Sequence, residues 1–191
     1  MQKHVAIIID WYGPYSLSDA KEVARENFGA GAYVALGKRR HQKSSSQFQY
    51  IGISSNLAYR LIEDHEKLSK IKRERILWLG EVTSTGIPGP KKKKTDPQLD
   101  LAEWAHAFFL KPYLNDKKTC SPPDRGLTVI NRWWRKTDFD SARTRRPHNN
   151  LPDIIDYFGP GYGARIVWIG TKVKRLSLKD IETLCISLMR N

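Results

Sequence analysis

Two apolar stretches, "GAYVALG" at 31–37 and "QYIG" at 49–52, stand on either side of the basic, serine-rich "KRRHQKSSSQ". Strand-length apolar runs flanking a polar loop predict a β-hairpin with a long tip. The hairpin constrains the rest, because it must bury its apolar residues against other elements. Those elements are legible around it. "HVAIII" reads as a buried strand, and "SLSDAKEVAREN" as a helix with Ser16 and Asp19 spaced as a capping box. After "YIG", Ser54, Ser55 and Asn56 offer capping oxygens for a helix that opens at Leu57 and runs to about Leu68.

"ILWLGEV" at 76–82 predicts a third strand, and Asp96 and Pro97 predict the N-cap and first residue of a helix that reaches Lys111 before Pro112. Beyond the breaker-rich "TCSPPDRG", the runs "LTVINRWW", "LPDIIDYF" and "ARIVWIG" precede a closing helix. In that helix Leu178, Ile181, Leu184, Cys185 and Leu188 recur at helical spacing. The expected class is α/β (α+β), with a small central antiparallel or mixed sheet, flanking helices and terminal elaborations. Residues 1–28 form an N-terminal strand and helix, 29–118 the core, and 119–191 a basic, aromatic extension packed on it as one domain.

Lys and Arg outnumber Asp and Glu by 33 to 20 among 191 residues, a net charge of +13. That charge points to a polyanion, and nucleic acid is the commonest. An anionic membrane surface is the weaker alternative, since no long basic amphipathic helix stands out. Cys120 and Cys185 are too few for a disulfide scaffold and lack metal-ligand spacing. With no signal segment or 18-residue apolar run, the reading is a cytoplasmic protein.

Two side chains sit oddly. On a helix from Leu57, the stripe of Leu57, Leu61 and Leu68 has Arg60 only about 60° from Leu57, so a guanidinium lies beside the expected core. An Arg60–Asp64 pair four residues apart is the plain alternative. In the 98–111 helix, Glu103 lies within the stripe of Leu99, Ala107 and Leu110. A carboxylate there must be paired, protonated or metal-bound.

With these residues in view, the chain resembles the GIY-YIG nuclease family over roughly residues 29–118. "GAY" and "YIG" resemble its paired signatures, Arg60 its catalytic arginine, and "EWAHAFFLKPYLN" its metal-binding Glu103 followed by a Pro and Asn115. Gly52 belongs to the second signature. The family often places His or Tyr four residues after the arginine. Here Asp64 holds that place and His65 follows, about 140° around a helix from Arg60. His65 is either a site residue or a hydrogen-bonded structural histidine.

The resemblance implies a DNA endonuclease using one divalent ion, Mg²⁺ or Mn²⁺, on Glu103, a hard oxygen ligand. Arg60 would grip phosphate oxygens. Tyr33 or Tyr50 would orient the attacking water or take its proton, with Asn115 as support. A solitary, type II restriction-type enzyme acting on double-stranded DNA, with a homodimer left open, is the expected function. A catalytically silent nucleic-acid binder on the same scaffold is the alternative. A PD-(D/E)xK nuclease fails, because neither "PD" has an acidic-x-Lys downstream. Expected phosphate contacts are Lys38, Arg39, Arg40, Lys91, Lys92, Lys93, Lys94, Arg132, Arg135, Arg143, Arg145 and Arg146. Trp133 is expected either to stack on nucleic acid or to pack the C-terminal strands.

Overall fold

The computed structural model describes residues 3–84, 96–135 and 146–186. Strand β1 (Val5–Tyr15) leads into α1 (Leu17–Asn27), whose Ser16 hydroxyl accepts from the Asp19 backbone N–H at 3.1 Å. The expected hairpin follows as β2 (Gly31–Arg39) and β3 (Gln47–Ser54), joined by residues 40–46. A single helical turn, α2 (Leu57–Arg60), leads to a 3₁₀ turn (Leu68–Lys70) and β4 (Ile71–Val82). Helix α3 (Pro97–Leu110) begins as the sequence predicts, with the Asp96 carboxylate accepting from Gln98 N–H at 2.9 Å. It ends at Lys111, which is left-handed at φ 48°. Then come β5 (Leu127–Arg135), β6 (Ile154–Tyr157), β7 (Ala164–Trp168), β8 (Lys172–Leu176) and α4 (Leu178–Ile186).

The α/β class holds, but the sheet is not small. Eight strands pair in the order β3-β2-β4-β1-β5-β6-β7-β8. Every neighbouring pair is antiparallel except β1 and β5, which run parallel from Val5↔Leu127 to Gly13↔Arg135. The physical reason lies in β1. Its Ile7, Ile9 and Trp11 are fully buried, so both its edges must be paired, one by β4 and the other by β5. Strands β5 to β8 therefore lengthen the sheet, and the N-terminal strand is the joint between its two halves.

Side chains alternate between two apolar layers. Val34, Leu36, Ile51, Trp78 and Trp11 pack on one face with Leu99, Ala102, Ala105 and Phe108 of α3. Tyr33, Ala35, Leu77 and Leu79 pack on the other with Ala20 and Ala24 of α1 and with Leu57, Leu61 and Leu68. No helix among the described residues is long and apolar enough to cross a membrane.

Candidate active site

The expected helix over 57–68 stops after one turn. Asn56 caps it as expected, its carboxamide oxygen accepting from Tyr59 N–H at 3.1 Å, but Leu61 leaves helical geometry at φ −85°, ψ 84°. An isolated turn has little stability of its own, so burial decides the path. By folding back, the chain buries Leu57, Leu61 and Leu68 completely, and His65 as well, at 4% exposed. Angles drawn on a continuous helix therefore do not apply. Arg60 is exposed rather than core-facing, with its guanidinium reaching the hydroxyls of Tyr33 and Tyr50.

His65 reaches the tyrosines after all. Its Nδ1 accepts backbone N–H groups from Lys67 (3.1 Å) and Leu68 (3.3 Å), so the ring proton resides on Nε2. Nε2–H then donates to the Tyr33 hydroxyl at 2.8 Å. Burial, reinforced by the Arg60 charge, pushes the His65 pKa down to about 4, which keeps the ring neutral. The rings of Tyr33, Tyr50 and His65 contact one another at centroid distances of 5.7–6.0 Å.

Tyr33 is fully buried and opposite Gly52 in the β2–β3 register. A Cβ at residue 52 would lie 2.6 Å from the Tyr33 hydroxyl, so only glycine lets that phenol cross β3. Burial, and secondarily Tyr50, drives the Tyr33 pKa far above the usual phenol value, with Arg60 partly opposing.

Asn115 closes the open edge of β3. Its carboxamide oxygen accepts from Ile51 N–H at 3.0 Å and its NH₂ donates to Ile51 C=O at 2.9 Å, while Leu114 N–H donates to Gln49 C=O at 2.9 Å. These bonds satisfy a strand edge that would otherwise be unpaired, and fix Tyr50 between their anchor points.

Where this edge meets α3, a cleft of about 230 Å³ is lined by Tyr50, Arg60, Lys67, Glu103, Asn115 and Lys118, among others. Glu103 is 16% exposed, and its carboxylate receives a hydrogen bond from the Lys118 ammonium at 2.7 Å. The same ammonium reaches the carboxylate and carbonyl of Asp100, one helical turn earlier, at 2.5 and 3.2 Å. A divalent ion such as Mg²⁺ takes oxygen ligands and retains several waters. Glu103, with Asp100 beside it on the helix, supplies such oxygens next to open space. The Lys118 ammonium marks a place that already attracts positive charge. Among the described residues no group of three or more His, Cys, Asp or Glu side chains is placed to hold a metal ion, and Glu103 and Asp100 share Lys118 instead.

Asp100, Lys118 and Tyr113 are absent from the sequence-derived set. Asp100 alone left a signal, as the only other acid one helical turn from Glu103. Of the expected phosphate contacts, Lys91, Lys92, Lys93, Lys94, Arg143 and Arg145 lie outside the described residues. Several others are committed to the fold. Trp133, 7% exposed, stacks on Trp11 (5.8 Å, 17°) and meets Trp78 edge-on at 5.7 Å, so it is a core residue and not a nucleic-acid contact. Arg132 donates two bonds of 2.6 Å to Asp10, and Arg146 donates to Asp153 at 2.8 Å. Lys38 pairs with Glu74 at 2.6 Å. Arg40 and Arg135 are exposed, and Arg39 lies over the Tyr113 ring.

Compared with protein-family models, curated proteins and solved structures, the chain matches none.

Proposed function

We propose that the chain is a metal-dependent DNA endonuclease of the GIY-YIG kind, cutting site-selectively in the manner of a small restriction enzyme. One observation carries this reading: Tyr50 from β3, Arg60 from α2 and Glu103 from α3 line a single cleft, backed by Tyr33 and His65. The antiparallel order β3-β2-β4 and the Asn115 clamp on Ile51 support it as well.

The chain's own groups divide the work. Arg60, at the cleft wall and always charged, holds phosphate oxygens and stabilises the charge that grows on them. Tyr50 is the phenol that lines the cleft, and it orients the attacking water. Tyr33 is a positioning residue. Its oxygen accepts the Nε2–H of neutral His65 at 2.8 Å, which holds the phenol against the Tyr50 ring. Glu103 would hold Mg²⁺ or Mn²⁺, which supplies Lewis acidity at the phosphate and the leaving oxygen.

A second reading, a nucleic-acid binder without catalysis, is favoured by one contact: Lys118 already occupies the Glu103 carboxylate. Plasmid cleavage with and without Mg²⁺ or Mn²⁺ separates the two. Wild type is expected to give discrete, metal-dependent fragments, and Glu103→Ala and Arg60→Ala to lose on the order of 10³-fold in rate. Binding without cutting under either metal establishes the second reading, and a non-specific ladder removes the restriction-type assignment.

A further inference from the structure

Beside the cleft lies a second concavity of about 460 Å³, whose lining includes Arg39, Arg40, His41, Lys70, Lys72 and Tyr113 and contains no carboxylate. The two are continuous along one chain segment. Tyr113 and Leu114 line the concavity, and Asn115, Asp116, Lys117 and Lys118 line the cleft. Tyr113 is 66% exposed, yet it is not loose, because Leu114 and Asn115 are bonded to β3 immediately after it. The Arg39 guanidinium carbon lies 3.3 Å from the Tyr113 ring centroid, which leaves the remaining ring surface to solvent. Lys70 has only a 3.8 Å contact with the exposed Glu66.

A rigid aromatic face bordered by cations, with no carboxylate in the same lining, is the chemistry that receives a nucleotide: the base stacks and the phosphate is neutralised. A base inside a duplex keeps its faces against its neighbours and cannot reach such a ring. We propose that this concavity holds an unpaired nucleotide of a nucleic-acid strand, its base on Tyr113 and its phosphate among Arg40, Lys70 and Lys72. The strand runs on into the cleft, a continuation that rests on the nuclease reading above. The preferred substrate then carries an unpaired or extruded nucleotide beside the scissile bond.

The test is fluorescence anisotropy with the full chain, using a labelled single-stranded oligonucleotide, a blunt-ended duplex of equal charge, and free AMP as competitor. Tyr113→Ala is expected to weaken single-strand binding by about tenfold or more, Tyr113→Phe to restore it, and duplex binding to change by less than about twofold. Equal loss on both DNAs, or no loss on the single strand, overturns the assignment. If Tyr113→Ala loosens AMP but not the oligonucleotide, the ligand is a free nucleotide and the strand assignment falls. Failure of wild type to cleave would remove the nuclease reading and leave these binding results standing, so the two fail separately.

Discussion

Around Tyr113, the cations Arg39, Arg40, Lys70 and Lys72 border a concavity without a carboxylate, whereas at the β1–β5 joint and on β6 and β7 the cations are spent on acids. Asp10, 5% exposed on β1, accepts both Arg132 bonds and the Trp134 indole N–H at 2.7 Å. Asp156 accepts from Arg165 at 2.9 Å, and Asp153 from Arg146. The difference teaches that a basic run in a sequence has two destinations. Where strands carry half-buried acids, the cations close to them satisfy those acids and hold the sheet together. Only where no acid competes does positive charge remain for a polyanion.

Substitutions on the two sides should therefore separate stability from binding. Arg132→Ala leaves Asp10 buried with half its partners gone and is expected to cost about 3 kcal/mol in unfolding free energy, read by urea denaturation, with little effect on DNA affinity. The double change Arg40→Ala with Lys72→Ala is expected to cost under about 0.5 kcal/mol, yet to reduce the salt dependence of oligonucleotide binding by about two phosphate contacts. Should Arg132→Ala weaken DNA binding as much as the double variant, the distinction between the two surfaces is broken.

The next effect concerns the neutral histidine behind the tyrosines. His65 titrates at about 4 when folded and near its ordinary 6.5 when unfolded, so between those values the unfolded chain binds the extra proton. Stability is then full above about pH 6.5 and falls as the pH drops toward 4. The loss between pH 7 and pH 5 is about 2 kcal/mol from this group. His106, fully buried and likewise lowered to about 4, adds to the slope. His65→Gln keeps a donor for Tyr33 and removes one titration, so its disadvantage against wild type should shrink as denaturation is repeated from pH 7 down to pH 5. A constant gap would mean that His65 takes up its proton at the same pH in the folded protein as in the unfolded chain.

Local signals foretold much of this arrangement and tertiary pairing decided the rest. The hairpin, the Asn56 cap, the Asp96–Pro97 helix start and the final helix were all legible, because each depends on residues close in sequence. Tyr50, Arg60 and Glu103 could be singled out from short motifs, whereas their meeting at one cleft depends on elements distant in sequence. The end of α2 at Arg60 could not, since Leu57, Leu61 and Leu68 fit a helical stripe as well as they fit the folded-back path that buries them. With that stripe assumed, His65 falls on the wrong side of Arg60. The parallel β1–β5 pairing joins residues more than a hundred positions apart, so the length of the sheet left no local trace. Trp133 shows the same limit. "NRWWRK" mixes aromatic and cationic residues, and only the neighbouring Trp11 and Trp78 show which indole is core.

The smallest expected effect tests the point where the two kinds of surface meet. In the cleft Lys118 behaves like the cations of the β1–β5 side, since it bridges Asp100 and Glu103, as Lys67 bridges Glu66 and Asp116. Metal binding must displace it, and the energy lost in breaking that bridge weakens the apparent affinity for the ion. Lys118→Met keeps the length of the side chain and removes the charge, leaving two carboxylates one helical turn apart on α3. Mn²⁺ affinity, measured by isothermal titration, should then rise by about tenfold, corresponding to about 1.4 kcal/mol. Glu103→Gln in the same background should abolish the gain, which ties it to that carboxylate. Unchanged affinity in Lys118→Met would show that the lysine leaves the carboxylates without cost, and that Glu103 is as open to a cation as the concavity around Tyr113 is to an anion.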